Sequence, residues 1–352
     1  MAQSSTYSLT IDSLASNGVE PTVSFVLSRW GNNTQEVVAQ HVIAQHKVGF
    51  EDLPQALQRV YSSTGIDPQQ IEWMTIVDSQ EGHFWNKFWV YRKRARWVES
   101  LGLGHLKPYR ISPQRALAYE AFRQSGFRQA TVICLDPEVN QLTAQLWEAG
   151  ERGLQKKWPE AEGNSAEEFF ERLAEFCGFS GGRAQRQFVE LSGYGEPRFL
   201  DQLREEWLEI GSQGQLILKD NHPDFARAFH SPQRSPDQPV TSREIDIYAS
   251  LESLVMEWAM TLKSSRRLLV GGEERICVVG QGLLYEILIV VLPRIFDRQK
   301  LFILSGSLSQ LRASGASALL GLQQEPKSKA PLSKTPADDR KKPQPLPEGQ
   351  LA

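Results

Sequence analysis

The N-terminal half of the chain begins with three successive strand patterns and then alternates helices with strands. Alternating apolar residues predict the three strands at Tyr7–Ile11, Thr22–Leu27 and Glu36–Ala44. An Asn-Asn turn between the last two strands favours an antiparallel meander. Helix and strand patterns then alternate at 53–63, 71–78, 115–124 and 130–136. Strands that pair as a meander and then cross over through helices predict an α/β fold with mixed sheets.

The C-terminal half carries longer helices. Two capping boxes, Ser165–Glu168 and Thr241–Glu244, predict helix starts. The second box precedes an apolar stripe at helical spacing that runs from Ile247 to Leu262, the strongest periodic pattern in the chain. Strands and helices are then predicted in alternation at 276–279, 283–291, 301–304 and 309–320.

Composition excludes several classes of protein. The 352 residues carry a formal net charge of −3, which gives no general attraction to nucleic acid or to an anionic membrane. Three separated cysteines, Cys134, Cys177 and Cys277, lie in apolar stretches and form no CxxC motif, which favours reduced core residues. The N-terminus lacks a signal-peptide pattern, and no apolar run approaches the roughly 20 residues that span a bilayer. We therefore predict a cytoplasmic protein.

Two further segments stand out. From residue 323 the sequence is rich in Pro, Lys and Gln and poor in large apolar residues, which predicts a disordered tail at 323–352. Aromatic and basic residues alternate between Trp85 and Trp97. Such a cluster can stack nucleic-acid bases, or it can pack its aromatic rings inward in an amphipathic helix while its Arg side chains reach solvent. We favour packing or a subunit interface over nucleic acid.

Several segments, in order, resemble the N-terminal domain of the carbamoyltransferases that act on nodulation factors and antibiotics. The matching segments are Lys47–Ile66 with "GFPxxAIxxxLxxAGI", Ala130–Asp136 with "ALVLVLDG", Phe188–Arg198 with "KVMGLAPYGEPR", Gln238–Asp246 with "GEPxTxRHxD" and Arg275–Gly280 with "LCLAGG". Their order and spacing extend the resemblance over about residues 7 to 321.

The resemblance implies two ribonuclease-H-like halves, as in actin, sugar kinases and heat-shock ATPases. We expect the first half at 1–137 and the second, with a helical insertion, at 138–322. In the family, a further C-terminal domain makes carbamoyl-adenylate from carbamoyl phosphate and ATP. The N-terminal domain then uses a metal, usually iron, to pass the carbamoyl group to a hydroxyl. We expect no room in these 352 residues for that further domain.

The family's metal site is largely missing from this sequence. The family motif "DHHLAHAASAF" holds the metal through its first and third histidines, and the corresponding stretch here is Ile111–Phe122. The two ligand positions are Pro113 and Leu117, which have no donor atom for a metal. Asp136 keeps the third ligand position and is the candidate catalytic residue. The last ligand should fall within Ser305–Ser314, which contains no acidic residue, so we expect no metal and in particular no iron.

The family's glycine-rich turn is only partly present. Gly280 and Gly282 remain ahead of a predicted helix, but Gln281 interrupts the glycine pair. A helix N-terminus can bind an anion, so these glycines are the candidate cofactor-binding residues and ATP stays open as a ligand. The alternative is that they only make the turn from strand to helix.

Three functional hypotheses follow, and the sequence leaves open whether the chain is an enzyme. The first is a catalytically degenerate carbamoyltransferase-like protein that works as a binding or regulatory partner, for example of an intact paralogue. The second is an active carbamoyltransferase with a rearranged site around Asp136. The third is an actin-like nucleotide-binding scaffold. The first predicts a protein partner or a homo-oligomer rather than a small-molecule substrate.

Overall fold

In a computed structural model of the chain, most of the predicted helices and strands are present. The described residues are 6–12, 22–31, 34–44, 53–77, 98–106, 108–136, 144–151, 153–157, 166–211, 214–219, 223–264, 269–270 and 273–324. Two of the sequence predictions fall wholly or mostly outside this part of the chain. They are the aromatic and basic cluster at 85–97 and the tail beyond Gln324.

The first sheet contains five strands in the order β3-β2-β1-β4-β5. Its strands are β1 Thr6–Asp12, β2 Thr22–Gly31, β3 Thr34–Ala44, β4 Ile71–Val77 and β5 Tyr109–Ile111. The first three pair antiparallel, which confirms the predicted meander, while β4 runs parallel to both β1 and β5. The result is a mixed sheet with β1 at its centre.

The second sheet repeats this plan. Its strands are β6 Ala130–Leu135, β7 Gln145–Gly150, β8 Gly153–Lys156, β13 Ile276–Gly280 and β14 Leu301–Leu304. Their order is β14-β13-β6-β7-β8, with β6, β7 and β8 antiparallel in succession and β6, β13 and β14 parallel. Strand order and directions match the first sheet, so the predicted pair of ribonuclease-H-like halves, of the actin and sugar kinase type, is confirmed.

Nine α-helices with both ends in the described ranges accompany the sheets. They are α1 Leu53–Thr64, α2 Pro113–Ser125, α3 Ala166–Phe176, α4 Gly181–Val189, α5 Leu200–Glu206, α6 Phe225–Ala228, α7 Ser242–Ser264, α8 Leu283–Ile295 and α9 Leu308–Gln324. Two short hairpins have the strands β9 Leu208–Ile210, β10 Leu216–Leu218, β11 Leu269–Val270 and β12 Glu273–Glu274. Two 3₁₀ helices span Pro68–Gln70 and Arg298–Lys300.

The long helix α7 forms as its sequence predicts. The backbone N–H of Thr241 donates to Glu244 Oε2 at 2.8 Å, which is one half of a capping box. Its apolar stripe, including Leu251, Val255 and Trp258, is buried in the largest hydrophobic core, which also takes in α3 and α8. This core lies on one face of the second sheet, since Ile133, Leu135 and Val278 belong to it.

Helices α2 and α9 lie between the two sheets and pack against each other. Each helix packs on the half to which it does not belong in sequence. Helix α2 follows the first sheet but packs on strands of the second. Helix α9 follows the second sheet but packs on β1, β2, β3 and β4 of the first. The outer face of the first sheet is covered by α1, through a core that includes Leu9, Ile11 and Leu57.

This arrangement divides the chain differently from the predicted boundary at residue 137. Strand β6 begins at Ala130 and belongs to the second sheet, so the second half starts before that boundary. The C-terminal helix α9 also includes residues 323 and 324, which were predicted to start the tail. No single cut in the sequence therefore separates the two halves together with the helices that pack on them.

Candidate functional site

Two buried carboxylates occupy matching positions in the two halves. Asp12 is the last residue of β1, and Asp136 directly follows β6. Both strands are the central strands of their sheets. The exposed fractions of Asp12 and Asp136 are 0% and 3%. Burial of a carboxylate is costly unless a positive group or several hydrogen-bond donors accompany it.

Arg312 from α9 supplies that positive group. Its Nε donates to Asp136 Oδ2 at 2.9 Å, and its Nη2 binds the other oxygen, Oδ1, so the pair is bidentate. Its Nη1 lies 3.6 Å from Asp12 Oδ2. The Arg312 side chain is itself fully buried. One guanidinium therefore joins the central strands of both halves through charge-assisted contacts.

Arg312 lies in the stretch where the resemblance indicates the last metal ligand. The candidate catalytic residue Asp136, which the resemblance puts at the third ligand position, does face the interior at the end of its strand, where it pairs with this guanidinium. Sequence reasoning missed both Arg312 and Asp12. The available signals were a single Arg among the small residues Ala313, Gly315 and Ala316, and an acidic residue at the end of an alternating strand.

The two positions of the missing histidines have structural roles. Pro113 stands in the first turn of α2, behind the N-cap Ser112, whose hydroxyl accepts a hydrogen bond from the Arg115 N–H at 3.4 Å. Leu117 is fully buried and packs in a core with Val132, Cys134 and other apolar residues of the second sheet. Neither position offers a ligand atom.

The two candidate cofactor-binding glycines lie in the turn between β13 and α8. At Gly280, an added Cβ would lie 2.3 Å from the carbonyl oxygen of Leu135 on the neighbouring strand β6. At Gly282, an added Cβ would lie 2.4 Å from Oε1 of Glu167, a residue of α3. Sequence reasoning did not single out Glu167, because its partners lie more than a hundred residues away.

Glu167 occupies the N-terminus of α8. Its Oε1 accepts a hydrogen bond from the Leu283 N–H at 2.5 Å, and its Oε2 accepts one from the Leu284 N–H at 3.2 Å. Burial, reinforced by the nearby Glu171 carboxylate, raises the pKa of Glu167 to about 8, although the two N–H donors act in the opposite direction. The place where a nucleotide phosphate would contact this helix is thus taken by a protein side chain.

The face of the first sheet towards α9 is unusually polar for a buried surface. Ser8, Thr10 and Asp12 alternate along β1 on this face and are fully buried. Ser317 of α9 lies 3.1 Å from Ser28 and 3.5 Å from Ser8, measured between hydroxyl oxygens. The Trp30 indole N–H also donates to Ser8 at 2.9 Å. Small hydroxyl side chains hold α9 close to the sheet and place Arg312 beside Asp12.

Neither a metal-binding cluster nor a membrane-spanning helix is found in the part of the chain that the structure describes. Within it, no three His, Cys, Asp or Glu side chains group closely enough to hold a metal ion. Among the same residues, no helix combines the length and apolar character needed to cross a membrane.

Comparison with known sequences places the chain near one curated protein. No family model matches the chain. The uncharacterized protein sll1178 of Synechocystis sp. is 28% identical over 188 residues, which are 48% of this chain and 31% of that protein. The match thus spans about a third of the length of this relative.

Solved structures of similar shape have low sequence identity. Component A of the (R)-2-hydroxyglutaryl-CoA dehydratase of Acidaminococcus fermentans is 13% identical, with 90% of this chain and 98% of that chain covered and a TM-score of 0.46. The ROK hexokinase of Thermus thermophilus is 12% identical, with 90% of this chain and 99% of that chain covered and a TM-score of 0.43. Likeness at this level assigns neither a ligand nor a reaction to this chain.

Proposed function

We propose that the chain is a catalytically inactive, carbamoyltransferase-like protein that acts as a binding or regulatory partner of another protein. The observation that carries this proposal is the buried guanidinium of Arg312, bound to both Asp136 and Asp12. Asp136 is the one ligand position that the resemblance preserves, and a cation of the chain's own already binds it.

The electrostatics of this cluster support the proposal. A divalent ion at Asp136 would have to displace Arg312 and leave its charge buried without a carboxylate. Separating a buried charged pair costs several kcal/mol, because the released charge has lost its water as well as its partner. The wild-type chain therefore favours its own ion pair over a metal.

A chain without metal chemistry can still contribute by binding. The family's reaction needs a metal-bearing domain and an adenylate-forming domain, so a metal-free homologue is suited to pairing with an intact paralogue. The two-half fold, with α2 and α9 packed against each other between the sheets, supplies the framework for such an association.

A thermal-shift titration with ATP, with and without Mg²⁺ or Fe²⁺, tests the proposal. We expect no saturable rise in the melting temperature of the wild-type protein at millimolar ligand, since ligands that bind only the native state raise it by mass action. A metal-dependent rise would contradict the proposal and favour the active enzyme, with Asp136 as its first residue to mutate. A rise with ATP alone would favour the nucleotide-binding scaffold.

The Arg312→Asp variant is the matched comparison. It removes the cation and puts a shorter carboxylate on the side of α9 that faces Asp12 and Asp136, so the space left by the guanidinium is lined by oxygen ligands of the kind that suit Mn²⁺ or Mg²⁺. We expect Mn²⁺ to raise the melting temperature of this variant and not that of the wild type. Carbamoyl transfer by the wild-type chain, supplied with the C-terminal domain of an active homologue and a hydroxyl substrate, would refute the proposal directly.

A further inference from the structure

The N-terminus of α8 is completed by a residue from a distant part of the chain. The first N–H groups of any helix lack partners within the helix and are usually satisfied by a local cap. Here the N-cap residue is Gly282, which has no side chain to do this. The carboxyl group of Glu167, which lies on α3, binds the N–H groups of Leu283 and Leu284 instead.

The turn is shaped around that carboxyl group. Gly282 has a φ of +101°, a conformation that other residues rarely adopt. A Cβ at this position would lie 2.4 Å from Glu167 Oε1 and 2.7 Å from its carboxyl carbon. A side chain at this position would therefore collide with the carboxyl group, so the glycine leaves the space that the carboxyl group occupies.

The carboxyl group is held there against a large desolvation cost. Glu167 is 4% exposed, and the nearby Glu171 carboxylate adds to the cost of charging it. The favourable contributions are the two N–H donors and the positive end of a 13-residue helix. A carboxyl oxygen is therefore bound by the same groups that would bind a free oxyanion.

We propose that Glu167 is an internal ligand of this turn, whose carboxyl group closes the N-terminus of α8 to phosphate and other free oxyanions. Removal of its side chain then opens a site for a small carboxylate. This inference deepens the proposed function, because it adds an internal carboxyl ligand to the internal cation of Arg312. It can fail separately, since its test uses neither a metal nor a nucleotide.

The test is the Glu167→Ala variant, with sodium formate and acetate as probes and sodium chloride at equal ionic strength as the reference. We expect its melting temperature to fall by at least about 5 °C and to recover by at least about 2 °C in 100 mM formate, with saturation. The matched control is Glu168→Ala, which removes an exposed carboxylate from the same turn of α3. It should show neither the loss nor the recovery.

Two additional measurements keep the inference open to refutation. If Glu167→Ala is recovered only unfolded, the yield of refolded protein in formate is compared with the yield in chloride, and equal yields overturn the inference. The Glu167→Gln variant still fills the turn and should not respond to formate. A formate response as large in Glu167→Gln as in Glu167→Ala, or none in Glu167→Ala, also overturns it.

Discussion

Replacement of Arg312 by alanine is expected to lower the free energy of unfolding by about 3–5 kcal/mol, the loss typical of breaking a buried ion pair. The guanidinium group neutralises Asp136 and lies close to Asp12. All three side chains are buried. Without it, two carboxylates stay in the protein interior with much less compensation. Urea unfolding at neutral pH, followed by circular dichroism, measures the loss.

Two variants decide whether burial is the reason. Arg29→Ala breaks an ion pair with Glu36 whose side chains are 46% and 61% exposed, so solvent screens it and its loss should be far smaller than that of Arg312→Ala. Arg312→Met combined with Asp12→Asn and Asp136→Asn removes every charge of the cluster and should recover much of the lost stability. Equal losses of unfolding free energy for Arg312→Ala and Arg29→Ala would show that burial of the cluster does not increase its contribution to stability.

A second large effect is expected at Gly315, where α9 meets α2. A Cβ at this position would lie 2.0 Å from the carbonyl oxygen of Ala116. Alanine normally stabilises a helix interior by about 1 kcal/mol relative to glycine. Here the added methyl group forces two backbones apart, so we expect Gly315→Ala to destabilise the protein by about 2–3 kcal/mol in urea unfolding.

Gly182 provides the opposite case. It lies in α4, and an added Cβ would meet no atom within 4 Å. Gly182→Ala should therefore be neutral or stabilise the protein by at most about 1 kcal/mol. If Gly315→Ala also stabilises the protein, the close approach of α2 and α9 is not a constraint on the native state.

Local sequence patterns were sufficient for most of the sheet and helix elements. The alternation in β1 and the stripe of α7 each reflect burial on one face, so periodicity reveals them directly. Short strands such as β5 and β8 were not predicted, because three or four residues are too few to show a period. The exchange of α2 and α9 between the halves was also missed, since periodicity does not say which sheet a helix covers.

The candidate site, too, could be predicted only in part from the sequence. The absence of ligand atoms at Pro113 and Leu117 could be read from residue types alone. The partners of Asp136 and of the α8 N-terminus could not, because Arg312 and Glu167 are brought there by the tertiary fold across more than a hundred residues. A sequence pattern can mark such residues one by one, as with Arg312 among small residues, but it does not show which residues pair.

The crossing of α2 and α9 also affects how the polypeptide can be divided. A cut between Ser125 and Ala130 would separate each sheet from the helix on its inner face. The first sheet would lose α9, and the second sheet would lose α2. The fragment with β1 would expose Ser8, Thr10 and Asp12, and the other would expose Cys134 and Val279. Each piece would keep the core on the outer face of its sheet. Each would lose the inner core that α2 and α9 complete, so the native fold requires both fragments to assemble together.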